Sequence, residues 1–368
     1  GGCRCGKADD EFTVGMHDVL APIVQTRDPR KQFIMVMEKF FDPAVEAMYD
    51  ASRQLCLEND IVVGHMMNHT LLTAAEKFNR PRVSVALAPL AIRTKYIPLF
   101  GPNLGSILNR ITWMLGDYVG RKKLFTRAEV IRQREGLPPL QSLQQQLYVS
   151  EDLTLVASSP TLTMRRPDWA PNIQICGDFR FEESDRYIPM PEGLEDFINA
   201  GAPPVYVTFG SLGPFESESI DNLIVDAIEK VGCRAVIQSA WNGKTAPGIF
   251  RCSSAPHAQV FPRCAAVVHH GGAGTTHSAL RAGGPSIVIE HAFDQQFWGN
   301  ELQKLGAGGE VLHRNTLTVD GLAKAIQKTI NDDGIQSTAQ SLGRAMRFEN
   351  GVQRAVELIE EKFLAPIT

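Results

Sequence analysis

The residues with most chemical content lie between Val267 and Asn300, in the stretch VVHHGGAGTTHSALRAGGPSIVIEHAFDQQFWGN. Val267-Val268 closes an apolar run that reads as a strand, and Ala279-Leu280 sits in a helical pattern. Between them come His270 and then Gly271-Gly272-Ala273-Gly274-Thr275-Thr276. Small residues let a backbone approach a ligand closely, and the N–H groups exposed where a helix begins favour an anion. A pyrophosphate suits such a turn. His270 can donate to the same oxygens, and Thr275 or Thr276 can cap the helix and touch phosphate. The competing reading is an ordinary Gly-rich strand-to-helix turn.

Other motifs fail on their own terms. Gly243-Lys244-Thr245 resembles the end of a phosphate-binding Walker loop, but Gln238 stands where that motif needs Gly. G-x-G-x-x-G is absent, which weakens a nicotinamide reading, and Gly210-Ser211-Leu212-Gly213 is not a G-x-S-x-G elbow. Neither H-E-x-x-H nor an Asp-x-Asp pair occurs, so a nucleotide held through a divalent metal is not expected. The 7 cysteines show no C-x-x-C spacing, which disfavours zinc and suggests a reducing, cytoplasmic setting.

The elements that must position this turn emerge from the rest of the chain. With 368 residues, two domains are expected, and 43% hydrophobic with 21% charged residues excludes a disordered chain. Met37, Phe40, Phe41, Ala44, Met48, Ala51 and Leu55 recur at helical spacing. The strands Ile61–Val63 and Val83–Leu87 flank a second helix, giving a βαβ unit of the parallel kind. Leu104, Ile107, Leu108, Ile111, Met114, Leu115, Tyr118 and Val119 form an amphipathic helix. It either faces the first core or lines an apolar mouth, with peripheral membrane contact through 104–134 as part of the second reading.

A strand at Leu153–Ala157 is followed by Pro160, Pro167 and Pro171, read as a linker over about 158–180. Beyond it the strands 205–209, 235–238, 265–269 and 286–289 alternate with the helices 219–231, 275–282 and 296–305. Helices at 318–331, 336–347 and 352–363 close the chain. This rhythm predicts an α/β protein with a doubly wound parallel sheet. The domains expected are 1–180, 181–345 and a closing helical segment 346–368 that returns to the first.

Charge is uneven along the chain. Residues 1–180 hold 22 Lys/Arg and 19 Asp/Glu, a net +3, and residues 181–368 hold 15 and 22, a net −7. Arg121, Lys122, Lys123, Arg127, Arg132 and Arg134 make a short basic cluster, read as a solvated face or a surface for anionic headgroups. Nucleic acid is not an expected partner, because the patch is short and the chain mildly acidic.

The stretch from Ala255 to Gln295 resembles the nucleotide-sugar box of inverting GT-B glycosyltransferases of family GT1. It is most similar to the branch of sterol glucosyltransferases, rhamnosyltransferases and antibiotic glycosyltransferases. The resemblance rests on Pro256-His257, Phe261-Pro262, the full H-H-G-G-x-G-T-T from His269 to Thr276, Asp294-Gln295, and Phe297-Trp298-Gly299. It extends from about Asp60 to the C-terminus and includes Pro167-Asp168-Trp169 and the segment 203–211.

The resemblance implies two Rossmann-like sheets facing a cleft and a UDP- or dTDP-hexose as co-substrate, with no separate cofactor or metal. His270, Gly272, Ala273, Gly274 and Thr275 would hold the pyrophosphate. Asp294 and Gln295 would bind sugar hydroxyls, and Ala255 and His257 would lie at the nucleobase and ribose. Gly210, Ser211 and Trp241 would complete the donor site. Plant members place a Trp at the start of the box and a ribose-binding Glu where Ser278 stands, so the nucleobase stays open.

The resemblance also implies a single inverting displacement by a hydroxyl of a hydrophobic acceptor such as a sterol, lipid or polyketide. The family takes its general base from the opening loops of the first domain, which this chain is expected to lack. His65, His17 and His69 are the substitutes in sight, with His65 and His17 carried forward as candidates. Beside an active transferase stands a non-catalytic binding relative. A nucleotide-sugar epimerase is disfavoured by the Asp-Gln ending.

Overall fold

The computed structural model describes residues 22–23, 26, 28–99, 101–180, 188–210, 218–239 and 243–364. Its strands form two wholly parallel sheets. The first holds β1 (Val62–His65), β2 (Arg82–Ala86), β3 (Leu153–Val156) and β4 (Ile173–Ile175) in that order. The second holds β5 (Val205–Thr208), β6 (Ala235–Gln238), β7 (Ile249–Cys252), β8 (Ala266–His269), β9 (Ser286–Glu290) and β10 (Leu312–His313) in the order β10-β9-β8-β5-β6-β7. The order of strands reverses at β5 and β8, which lie side by side in parallel with Thr208 opposite His269. Crevices at the carboxyl ends of strands open at such a switch point.

Thirteen helices surround the sheets among the described residues. In the first half are α1 (Pro29–Val36), α2 (Asp42–Glu58), α3 (His69–Lys77), α4 (Ser106–Val119) and α5 (Thr126–Arg134). In the second half are α6 (Leu194–Asn199), α7 (Glu218–Val231), α8 (His257–Val260), α9 (Ala273–Ala282), α10 (Gln295–Leu305), α11 (Val319–Asn331), α12 (Asp333–Met346) and α13 (Gly351–Phe363). None is long and apolar enough to cross a membrane. The closing helices start on side-chain caps: Thr318 accepts from Gly321 N–H, Asp332 from Gly334 and Ile335, and Asn350 from Gln353. Helices α9 and α10 stop on Gly283 and Gly306, at φ 81° and 74°.

Two apolar patterns behave differently from their periodicity. The stripe expected from Met37 through Leu55 is turned by one residue after Met37. The buried side chains are Met37, Val45, Tyr49, Ser52 and Cys56, while Leu55 is 47% exposed. The cause is the wide π-helical turn Met37–Phe41, which inserts one residue into the helix and advances every later position by one. Helix α4 forms as expected but does not face the core. Only Asn109 and Trp113 are buried, whereas Ile107 is 75% and Met114 59% exposed. Trp113 anchors it by donating to Ile97 O at 2.8 Å, and Asn109 donates to Lys95 O at 3.0 Å.

The segment 158–180, read from its prolines as linker, contributes β4, which pairs with β3. Three short residues without alternation give a strand little sequence signal. The last helix, α13, packs on the first sheet: Ala355 and Leu358 share a core with Val83, Leu153, Leu155 and Cys176. Gly351 comes so close to Gly177 that a Cβ there would run into the Asp178 carbonyl. The chain thus returns to its first half through a contact that only glycine permits.

Candidate donor site at the switch point

Strand β8 delivers His269 and His270 to the switch point, and the chain then turns sharply into α9. Gly271 makes the turn at φ +85°, with no room for a side chain: a Cβ would sit 2.7 Å from Val288 Cγ1 and 2.8 Å from Gln295 O. A Cβ on Gly272 would run into His270 Nε2. Around Gly274, by contrast, a Cβ would meet nothing within 4 Å among the described residues, so among these the first turn of α9 is open. No side chain caps that end of the helix. Among the described residues its first N–H groups therefore have no side-chain partner, and they carry the positive end of the helix dipole.

Two histidines flank the turn in different roles. His269 Nδ1 accepts from Gly271 N–H at 3.1 Å and fixes the loop, leaving its buried Nε2 without a partner. His270 is 8% exposed, and its buried Nδ1 has no partner. Burial holds His270 down at about 4, with His291 adding to the shift, so the ring is neutral at physiological pH. Across the switch point Gly210, at φ +54°, packs against it: a Cβ there would sit 3.1 Å from His270 Cε1 and 3.8 Å from Thr275 Oγ1. Gly210, His270, Gly272 and Thr275 are thus brought to one place.

Asp294 and Gln295, expected on the sugar side, are adjacent but already engaged. Asp294 Oδ2 accepts from Trp298 Nε1 at 2.7 Å, and burial raises the Asp294 carboxyl above its ordinary value. Gln295 Oε1 accepts from His291 N–H at 2.7 Å and Ala292 N–H at 3.1 Å. That carbonyl holds the loop after β9. Immediately before them Phe293 adopts φ 60°, a strained conformation for a non-glycine residue. The N–H of Phe293 donates to Gln32 Oε1 at 3.4 Å, so α1 of the first domain touches this loop.

His257 sits at the far end of the site. Its Nε2 lies 2.9 Å from Gln238 Oε1, which also accepts from Tyr206 OH at 2.8 Å, and its ring stacks on Phe261 at 4.3 Å. Burial lowers His257 to about 4. Ala255, 2% exposed, lies in the same cluster. Ser211, Trp241 and His17 fall outside the described residues. His65 ends β1 with an exposed side chain, and its Nδ1 accepts from Met67 N–H at 3.3 Å.

Three residues at this site escape the sequence reading. Gln32 lies in a charged segment with no motif, His277 is one residue past the H-H-G-G-x-G-T-T motif, and Trp298 belongs to the Phe297-Trp298-Gly299 resemblance but is given no role by it. Only the proximity of His277 to the box, one helical turn beyond Ala273, offers a signal.

Two Rossmann-like sheets with an anion-ready turn at the switch point of the second define the GT-B class, and comparisons agree. The glycotransferase of kitacinnamycin superposes with a TM-score of 0.70 at 19% identity, covering 93% of this chain and 84% of that one. Glycosyltransferase VinC in complex with dTDP superposes with a TM-score of 0.62 at 19% identity, covering 98% and 82%. Residues 224–360 match the family profile of the erythromycin biosynthesis protein CIII-like C-terminal domain.

Among curated relatives, a sterol 3-beta-glucosyltransferase of Arabidopsis thaliana is 35% identical over 204 residues, 54% of this chain and 32% of the relative. The O-mycaminosyltylonolide 6-deoxyallosyltransferase of Streptomyces fradiae is 33% identical over 239 residues, 64% of this chain and 56% of the relative. The chain thus spans about a third to a half of these relatives. In the part that aligns it is similar to glycosyltransferases of the sterol and antibiotic type.

Proposed function

We propose that this protein transfers a hexose from a UDP- or dTDP-sugar to a hydroxyl of a hydrophobic acceptor, inverting the anomeric centre without a metal. The observation that carries this reading is the uncapped first turn of α9, open at Gly274 and faced by His270 and Gly210 across the switch point. The diphosphate leaves with added negative charge. Helix N–H groups and the His270 ring are set to meet that charge without reorganising. Asp294 and the Gln295 amide stand where the hexose would lie. The acceptor class is supported by the sterol and O-mycaminosyltylonolide in the relatives' names and by the apolar outer face of α4. That face and the adjacent Arg121, Lys122 and Lys123 would also let a cytoplasmic enzyme rest on a lipid surface that carries its acceptor.

Titration with UDP- and dTDP-hexoses tests the donor site. One of them binds, and His270→Ala weakens it at least tenfold; equal affinity in the variant overturns the assignment. Product analysis with a panel of donors and apolar alcohols tests transfer.

A second reading, a donor-binding relative without catalysis, is favoured by one observation. His65 Nδ1 already accepts from Met67 N–H, so its neutral ring carries the proton on Nε2 and offers no acceptor to an attacking hydroxyl. Donor binding without transfer or donor hydrolysis would support it.

A further inference from the structure

The strongest arrangement outside the expected donor residues centres on His277, on the inner face of α9 and 2% exposed. Its Nδ1 lies 2.6 Å from Ala273 O, a carbonyl in the first turn of the same helix. A carbonyl only accepts, so Nδ1 carries the proton and Nε2 is an acceptor. That acceptor receives the backbone N–H of Ser159 at 3.1 Å, and Ser158 Oγ lies 3.4 Å from it. Both serines follow β3 in the first domain. The ring therefore links the phosphate-side turn of the second domain to the first domain through both of its nitrogens.

Two neighbours extend the link. The His277 ring packs edge-on against Trp298, with centroids 5.1 Å apart, and Trp298 is the residue that donates to Asp294. On the other side, Ser159 Oγ donates to Glu349 Oε1 at 2.9 Å, and Thr161 Oγ1 reaches the same oxygen at 2.6 Å. One turn further along α9, Arg281 pairs with Asp178. The helix that opens on the donor site is thus bolted along its inner face to the segment joining the domains.

We infer that His277 is a positioning residue: it fixes the position of Trp298, and through it Asp294, relative to the first domain, so that hexose recognition depends on the interdomain contact at Ser159. The inference rests on the donor site proposed above and adds a residue to it. It predicts a split between ligands. A nucleoside diphosphate touches the first turn of α9 and should be nearly indifferent to His277. A hexose-bearing nucleotide also needs Asp294 and should not be.

Two conservative variants separate the two bonds. His277→Asn can still donate to Ala273 O but is too short to reach Ser159. His277→Gln reaches Ser159 with an accepting oxygen and gives up the Ala273 bond. Calorimetry with UDP, dTDP and their hexoses is expected to show at least fivefold weaker sugar-nucleotide binding in His277→Ala and His277→Asn. Nucleoside diphosphate affinity should change less than twofold, and His277→Gln should retain most of both. Equal behaviour of Asn and Gln, or parallel losses for both ligand types, overturns the inference.

Amide hydrogen exchange at Ser159 reads the contact without any ligand. Exchange should rise at least tenfold in the Ala and Asn variants and little in Gln. If the contact responds this way but no nucleotide binds the parent protein, the donor reading fails and the interdomain bond stands. If Ser159 is unaffected in all three variants, the His277 inference itself fails.

Discussion

Gly210 and His270 face each other across the reversal in strand order, close enough that a Cβ on Gly210 would lie 3.1 Å from the imidazole Cε1. The second residue after β5 and the first after β8 are thereby brought together by the pairing of their strands. Gly210 also adopts φ +54°, so a side chain there costs roughly 1–2 kcal/mol in backbone conformation before it touches the ring. Gly210→Ala should therefore push His270 off its position. Nucleoside diphosphate affinity is expected to fall several-fold, and thermal unfolding to come a few degrees earlier. Unchanged affinity in calorimetry would mean that His270 does not contact the diphosphate.

Gly272 makes a sharper case. Its missing side chain is where His270 Nε2 sits. Gly272→Ala must displace the ring or the first turn of α9, while Gly274→Ala enters open space and leaves the fold alone. The pair predicts that Gly274→Ala keeps parental stability but obstructs the ligand, whereas Gly272→Ala loses both stability and binding. Parallel thermal melts and nucleotide titrations separate them. Full binding by Gly274→Ala would place the diphosphate elsewhere.

Acid should destabilise the protein through its buried imidazoles. Burial holds His69, His257 and His270 at about 4 and His269 at about 3, against an ordinary value of 6.5. In the unfolded chain each takes up a proton near pH 6.5, while the folded form stays neutral. Stability is therefore complete above about 6.5 and falls as pH drops towards 4, by up to about 1.4 kcal/mol per pH unit for each proton taken up. Urea midpoints at pH 7.5 and 5.2 should differ clearly, and those at pH 7.5 and 8.0 hardly at all. His257→Gln, whose amide can still meet Gln238, should shallow the dependence. A flat profile between 5.2 and 7.5 would contradict neutral burial.

The second domain was legible because strand, Gly-rich turn and helix follow one another with strong local signals, and β8 and α9 form within a few residues of expectation. The Gly271–Thr275 turn is readable because its chemistry is backbone chemistry, which glycine spacing announces. The first domain is less so. One inserted residue at Met37–Phe41 rotates the buried face of α2 away from its apparent stripe, and helical periodicity carries no mark of a π turn. Helix α4 keeps its apolar face outward, which periodicity cannot distinguish from inward. His277 and Glu349 acquire their roles only from Ser159, and no local pattern encodes a contact between residues over a hundred positions apart.

That long-range dependence is most exposed at Gly351, where α13 starts its return to the first domain. A Cβ would collide with the Asp178 carbonyl and with Gly177, both backbone, so no rotamer change can relieve the clash. The same approach sets Asp178 beside Arg281 and seats Ala355 and Leu358 against Val83 and Leu155. Gly351→Ala should thus cost about 2 kcal/mol, in the range typical of overpacked sites. The loss should appear first as separation of α13 from the first sheet, because the second domain keeps its own core of β5, β8 and α11. Limited proteolysis should cut the variant between 347 and 351 faster than the parent, while exchange protection of β8 stays unchanged. Equal cleavage rates would show that the return helix does not depend on this glycine contact.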